Sequence, residues 1–198
     1  MNQSQLPPSV VVSNTAPILS AWYGEFLHLF PKLLKNIHIP QSEKEEWTTT
    51  IPRIIAKLTN PPEGDINKLL AEWEDSFFVR IHPKQPRLEA TAQRFSKRIH
   101  PKDPSKAVDG EVLALAQLLY QTDAIEALLA DEEPMRKIAM EEGLPVIGSL
   151  GIARELCRAN IISREEAEKI PDKIEAHGQH IGIRLKAHYL QQIEILPT

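Results

Sequence analysis

The chain turns on three blocks read in order: Asp109-Gly-Glu-Val-Leu-Ala-Leu-Ala116, then Leu128-Leu-Ala-Asp-Glu-Glu-Pro-Met-Arg136, then Gly143-Leu-Pro-Val-Ile-Gly-Ser-Leu-Gly151. The first has the apolar spacing of a helix over Val112 to Tyr120. The second starts as a short buried strand, Ala127 to Ala130, and passes into a helix at Pro134 to Glu142, which Gly143 stops. The third is a strand at Leu144 to Ile147, a turn at Gly148 to Gly151, and a helix over Ile152 to Ala159. Alternation of strand and helix favours a parallel sheet with helices packed on it.

The same grammar holds toward the N-terminus. Val10-Val11-Val12 is a β-branched run that ends on Ser13-Asn14-Thr15, and Pro17 begins a helix. Ile37 to Pro40 reads as a second strand, and Ser42 to Glu45 matches a capping box opening the next helix. Helical spacing recurs over Ile51 to Leu58 and Ile66 to Trp73, and Phe77 to Ile81 reads as a strand. Residues 82–106 carry four prolines and a helix near Leu88 to Lys97, and read as a basic insertion outside the core. Beyond Ser163-Arg164-Glu165-Glu166, another capping box, two helices separated by Gly178 and Gly182 form a C-terminal cap.

Composition bounds the function. The 198 residues, 42% hydrophobic and 25% charged, suit a globular domain with a sizeable core. A formal charge of −4 excludes a globally basic nucleic-acid binder, so any such surface is local. Residues 80–106 are that local exception, with eight Lys or Arg against Glu89 and Asp103. Arg94, Lys97 and Arg98 are its candidate RNA contacts, and a solvated helix face is the competing reading. Cys157 stands alone and reads as a small buried apolar residue of a reducing compartment. Met1 to Pro8 lacks the features of a secretory signal and no apolar run approaches a membrane span, so the expectation is a cytoplasmic protein without a membrane partner.

In an open parallel sheet, ligands gather outside the carboxyl ends of the strands. The polar residues there are Asn14, Glu46, Asp109 and Asp131, three carboxylates and one amide. Converging carboxylates repel, and a hard divalent cation such as Mg²⁺ or Mn²⁺ offsets that repulsion. Each has a plainer reading too: an N-cap for Asp109, a helix-dipole partner for Asp131, a solvated face for Glu46, an Asx turn for Asn14. Glu111 is an alternative to Asp109, and Glu45 to Glu46. Ser149, at a glycine-bearing helix start, is either an anion contact or a cap. His177, His180 and His188 fit no zinc spacing and read as surface residues.

Val-Val-Ser-Asn-Thr-Ala-Pro-Ile-Leu from Val11, Ile39-Pro40 before a Glu-bearing helix, and the three blocks above together resemble a PIN domain, in a prokaryotic branch related to VapC-type toxins. The resemblance covers roughly residues 9–162. It implies a three-layer α/β/α domain with a mostly parallel central sheet, followed by a helical extension over residues 163–198. It also implies a ribonuclease using an acid cluster and Mg²⁺ or Mn²⁺, with Asp109, Asp131, Glu46 and Glu111 as catalytic candidates and Asp109, Asp131 and Asn14 as metal ligands. A toxin-like role implies a small antitoxin, and relatives of this fold often form homodimers.

The departure from the pattern is Asn14, an amide where the family's first acid belongs. An amide oxygen still ligates Mg²⁺, yet a full charge is lost. At about 5 Å and an effective dielectric of about 20 that charge is worth roughly 3 kcal/mol, and at roughly 1.4 kcal/mol per decade the affinity falls by about two decades. A weakened metal-dependent ribonuclease and a degenerate PIN-like module that binds RNA or a protein without cleavage are the two resulting expectations.

Overall fold

The computed structural model describes residues 9–103 and 108–196. The segment Met1 to Pro8 and Lys106 of the basic stretch lie outside the described residues. Five strands, β1 (Val10–Ser13), β2 (Asn36–Pro40), β3 (Val79–His82), β4 (Ala127–Leu129) and β5 (Val146–Ile147), form one sheet in the order β3-β2-β1-β4-β5. Every pairing is parallel, as helical crossovers between successive strands require. The register sets Val12 against His38 and Ser13 against Leu129, so β1, β2 and β4 deliver their C-terminal ends to the same edge.

Period-two alternation splits the core into two layers. Val11, Ala127 and Leu129 face one side, packed with α1 (Thr15–Tyr23), α3 (Gln41–Ile55), α4 (Ile66–Asp75), α8 (Ser149–Arg158), α9 (Arg164–Ala176) and α10 (Ile183–Glu194). Val12 and Leu128 face the other, against α5 (Glu89–Ile99), α6 (Val108–Gln121) and α7 (Glu133–Glu141). The short α2 (Phe30–Leu33) precedes β2. This is a three-layer α/β/α architecture.

The described part of residues 82–106 is not an excursion from the core. Ala92, Phe95 and Ile99 of α5 are buried against α6, because the helix carries an apolar stripe at i, i+3 and i+7. Gly110 permits this packing: a Cβ there would lie 2.2 Å from the Ala92 carbonyl oxygen and 2.1 Å from Ser96 Oγ. The C-terminal helices also enter the core, through Ala167, Ile170, Ile174, Tyr189 and Ile193.

Local structure departs from the expected pattern at three places. Helix α3 runs unbroken through Pro52 and begins directly after Pro40, so Ser42 sits inside the first turn and no capping box forms with Glu45. The Ser42 hydroxyl instead donates to Glu111 Oε2 at 2.7 Å. Strand β3 begins two residues late because Phe77 adopts φ 60°, a left-handed turn ahead of the strand. Helix α8 begins at Ser149, so Gly151 is helical, its missing side chain making room for Ile147. The box at Ser163 is present, with Ser163 and Glu166 bonded reciprocally. Cys157 is free and buried. No described helix is long and apolar enough to cross a membrane.

Candidate active site

Asn14 leaves the end of β1 with its side chain buried, 3% exposed. Its Nδ2 donates toward Asp109 Oδ1 at 3.5 Å, the orientation that a carboxylate neighbour imposes on an amide. Its Oδ1 has no hydrogen-bond partner. Asp109 lies in the first turn of α6, not at a cap, and its other oxygen, Oδ2, is 2.6 Å from His100 Nε2. Two elements far apart in sequence therefore meet at one pair of side chains.

Asp131 follows β4 and ties three segments together. Its Oδ1 accepts the Ser149 backbone N–H at 2.7 Å and its Oδ2 accepts the Ser20 hydroxyl at 2.6 Å. Gln179 Oε1 lies 3.0 Å from the same Ser20 Oγ, so the loop between α9 and α10 reaches this edge. Ser149 thus contributes its backbone to Asp131.

Sequence reasoning missed Glu43. It is 1% exposed, and its Oε1 accepts hydrogen bonds from Thr15 Oγ1 at 2.5 Å and Trp47 Nε1 at 3.0 Å. Burial raises its pKa to about 8, with Glu46 and Asp109 adding to the rise and the Thr15 and Trp47 hydrogen bonds opposing it. The available signal was spacing: Glu43, Trp47 and Ile51 share the buried face of α3. Glu46 is half-buried and exerts its charge on Glu43 and Glu132, whereas Glu45 is exposed. Glu132 keeps contact with solvent, yet partial burial and the charges of Asp109, Glu46 and Asp131 push its carboxyl up, with His100 opposing.

Asn14, Glu46, Asp109 and Asp131 are thus gathered at one edge of the sheet. Glu111 is turned to Ser42 and lines a smaller cavity with Pro40 and His82. On α5, Arg98 pairs with Glu142 at 2.6 Å and Glu141 at 2.5 Å, Arg94 reaches Glu142 at 3.4 Å, and Lys97 is exposed. His180 and His188 are exposed, and His177 stacks on Tyr23.

The PIN-domain family model matches residues 88–195. The chain belongs to the PIN-domain family. The match spans α5 to α10 and so includes His100, Asp109, Asp131 and the C-terminal helices; Asn14 and Glu43 lie before it. No curated protein and no solved structure matches the chain. The fold is of the nuclease type, and the acids lie outside the carboxyl ends of the strands, where open parallel sheets take ligands.

Does a hard cation fit this PIN domain? The donors are all oxygens, the charge is in excess, and the buried Asn14 Oδ1 is the atom of the set left without a hydrogen-bond partner. Among the described residues no three His, Cys, Asp or Glu side chains are close enough to hold an ion by themselves. The set fits in donor chemistry, and to share an ion with Asp109 the amide would have to turn its oxygen to where Nδ2 now faces that carboxylate.

Proposed function

We propose that this PIN domain is a metal-dependent ribonuclease with a weakened site. The carrying observation is the mutual charge of Glu46, Asp109, Asp131 and Glu132 at the edge where Asn14 is buried against Asp109 with its Oδ1 unpartnered. Carboxylates held together against their own repulsion raise the energy of the fold, and a function that needs negative charge there accounts for keeping them.

Asn14 Oδ1, Asp109 and Asp131 would hold Mg²⁺ or Mn²⁺, which when bound orients water and stabilises charge on phosphate. The chain's own residues supply the rest. The Ser149 N–H and Ser20 hydroxyl fix the direction of Asp131, and Asn14 and His100 fix that of Asp109. Glu43, neutral below about pH 8, buttresses Thr15 at the start of α1 without adding a full negative charge.

The test is cleavage of mixed RNAs with and without Mn²⁺. Asp131→Asn should lower the rate and Asn14→Asp should raise it. If Asn14→Asp stays inert at saturating Mn²⁺, the enzyme reading falls.

A second reading has its own observation. His100 already holds Asp109 at 2.6 Å, and the first acid is an amide, as in a module that has kept the fold for binding RNA or a protein. Inert Asn14→Asp together with retained RNA binding selects it. In a toxin-like setting a small antitoxin would cover the acidic edge, which co-purification with a small protein tests.

A further inference from the structure

A groove of about 1090 Å³ opens at Asp131 and runs outward between α7 and α10 over β5, the edge strand of the sheet. Its acidic end holds Asp131 and Glu133. Its walls carry Arg136, Lys137, Arg154 and Arg184. Arg154 is engaged with Glu155 and Gln192, while no ion pair joins Arg136, Lys137 or Arg184 to a carboxylate among the described residues. Arg136 stands beside the acids: a Cβ at Gly148 would lie 2.8 Å from its Nη1 and 2.9 Å from Asp131 Oδ1. Met140 and Leu185 also line the groove, 61% and 45% exposed.

We infer that this groove holds single-stranded RNA, its backbone on Arg136, Lys137 and Arg184 and its path ending at the Asp131 edge. The choice of occupant rests on the ribonuclease reading; the charges rest on the structure alone. An anionic polymer is attracted by cations along the wall and meets the acids only where cleavage would occur. Exposed apolar side chains between the cations suit unstacked bases, which a duplex would hide. The α5 face is the less suited surface, since Arg94 and Arg98 already spend their charge on Glu141 and Glu142.

The test is fluorescence anisotropy with a labelled mixed-sequence oligoribonucleotide in EDTA, so that binding is read without cleavage. The combined Arg136→Ala, Lys137→Ala, Arg184→Ala variant should bind about tenfold or more weakly, and its salt slope should shrink by about 0.7 for each phosphate that is no longer neutralised. The combined Arg94→Ala, Lys97→Ala, Arg98→Ala variant should bind as the unaltered protein does. Unchanged binding by the groove variant overturns the inference, as does an equal or larger weakening from the α5 variant. Displacement of the RNA by poly-glutamate as effectively as by unlabelled RNA of matched charge also overturns it, in favour of an acidic polypeptide. An inert Asn14→Asp enzyme with intact groove dependence would sink the nuclease and leave the groove standing.

Discussion

Asn14 Nδ2 lies 3.5 Å from Asp109 Oδ1, so the end of β1 and the first turn of α6 meet where a second acid would sit directly against the first. Asn14→Asp therefore places two carboxylates together with little solvent between them. Repulsion at this range is worth roughly 5 kcal/mol at an effective dielectric of about 20, and much less after relaxation. The expected outcome in EDTA is a loss of about 1–3 kcal/mol in thermal or denaturant unfolding. Mn²⁺ should restore more stability to this variant than to the unaltered protein, since a ligand that binds only the folded state stabilises it. Equal melting of the two proteins in EDTA would refute this pairing.

Glu43 offers a pH signature. Its folded pKa, about 8, is above the ordinary carboxylate value of 4.5, so between those pH values the folded state holds a proton that the unfolded state has released. Stability contributed by this group is full below about pH 4.5 and declines as pH rises toward 8, at most about 1.4 kcal/mol per pH unit. Glu43→Gln should flatten the decline while keeping an acceptor for Thr15 and Trp47. Urea unfolding at several pH values from 5 to 8.5 reads this directly, and an unchanged slope in the variant would count against a buried protonated Glu43.

His38 and His82 predict the opposite trend. His38 Nδ1 and His82 Nε2 are 2.7 Å apart across β2 and β3, and burial, together with His82 and Arg80, lowers the His38 pKa to about 4. His82 is lowered too, by burial and then Arg80. The unfolded chain takes up protons near pH 6.5 that the folded pair refuses, so stability is lost as pH falls from about 6.5 toward 4. His38→Gln, which retains a hydrogen-bonding group, should weaken this acid sensitivity. Proton titration of the ring signals by NMR would check it, and a His38 that titrates near 6.5 in the folded protein would contradict it.

Gly110 tests the packing of α5 on α6. A methyl group there meets the Ala92 carbonyl oxygen at 2.2 Å, and a backbone oxygen has no rotamer with which to escape. Gly110→Ala should cost about 3 kcal/mol or more despite the better helix propensity of alanine, because overpacking outweighs a propensity gain of about 1 kcal/mol. A variant melting at or above the parent temperature would show that α5 can withdraw without penalty.

Much of this was legible from local pattern. The strand runs Val10 to Val12 and Ala127 to Ala130, the helix of Val112 to Tyr120 and the box at Ser163 all rest on interactions within a few residues, which periodicity reports. Residues 82–106 misled because prolines and charge dominate their composition, while burial of Phe95 depends on a partner helix. Glu43 was hidden for the converse reason. Within Glu43-Lys44-Glu45-Glu46 every position looks solvated, and only the face shared with Trp47 and Ile51 sends one of them inward.

By itself the amino-acid sequence determined the alternation of strand and helix, the parallel sheet that follows from it, and the family to which the blocks around Asp109 and Asp131 belong. Tertiary structure alone decided which side chains share space: His100 against Asp109, Ser20 and the Ser149 backbone against Asp131, Glu43 against Thr15, and the cations gathered along one groove while Arg94 and Arg98 of α5 are paired. The division has a physical cause. Secondary structure follows short-range sterics and periodic burial, whereas a site is made by charges and hydrogen bonds between residues that only the packed layers bring together.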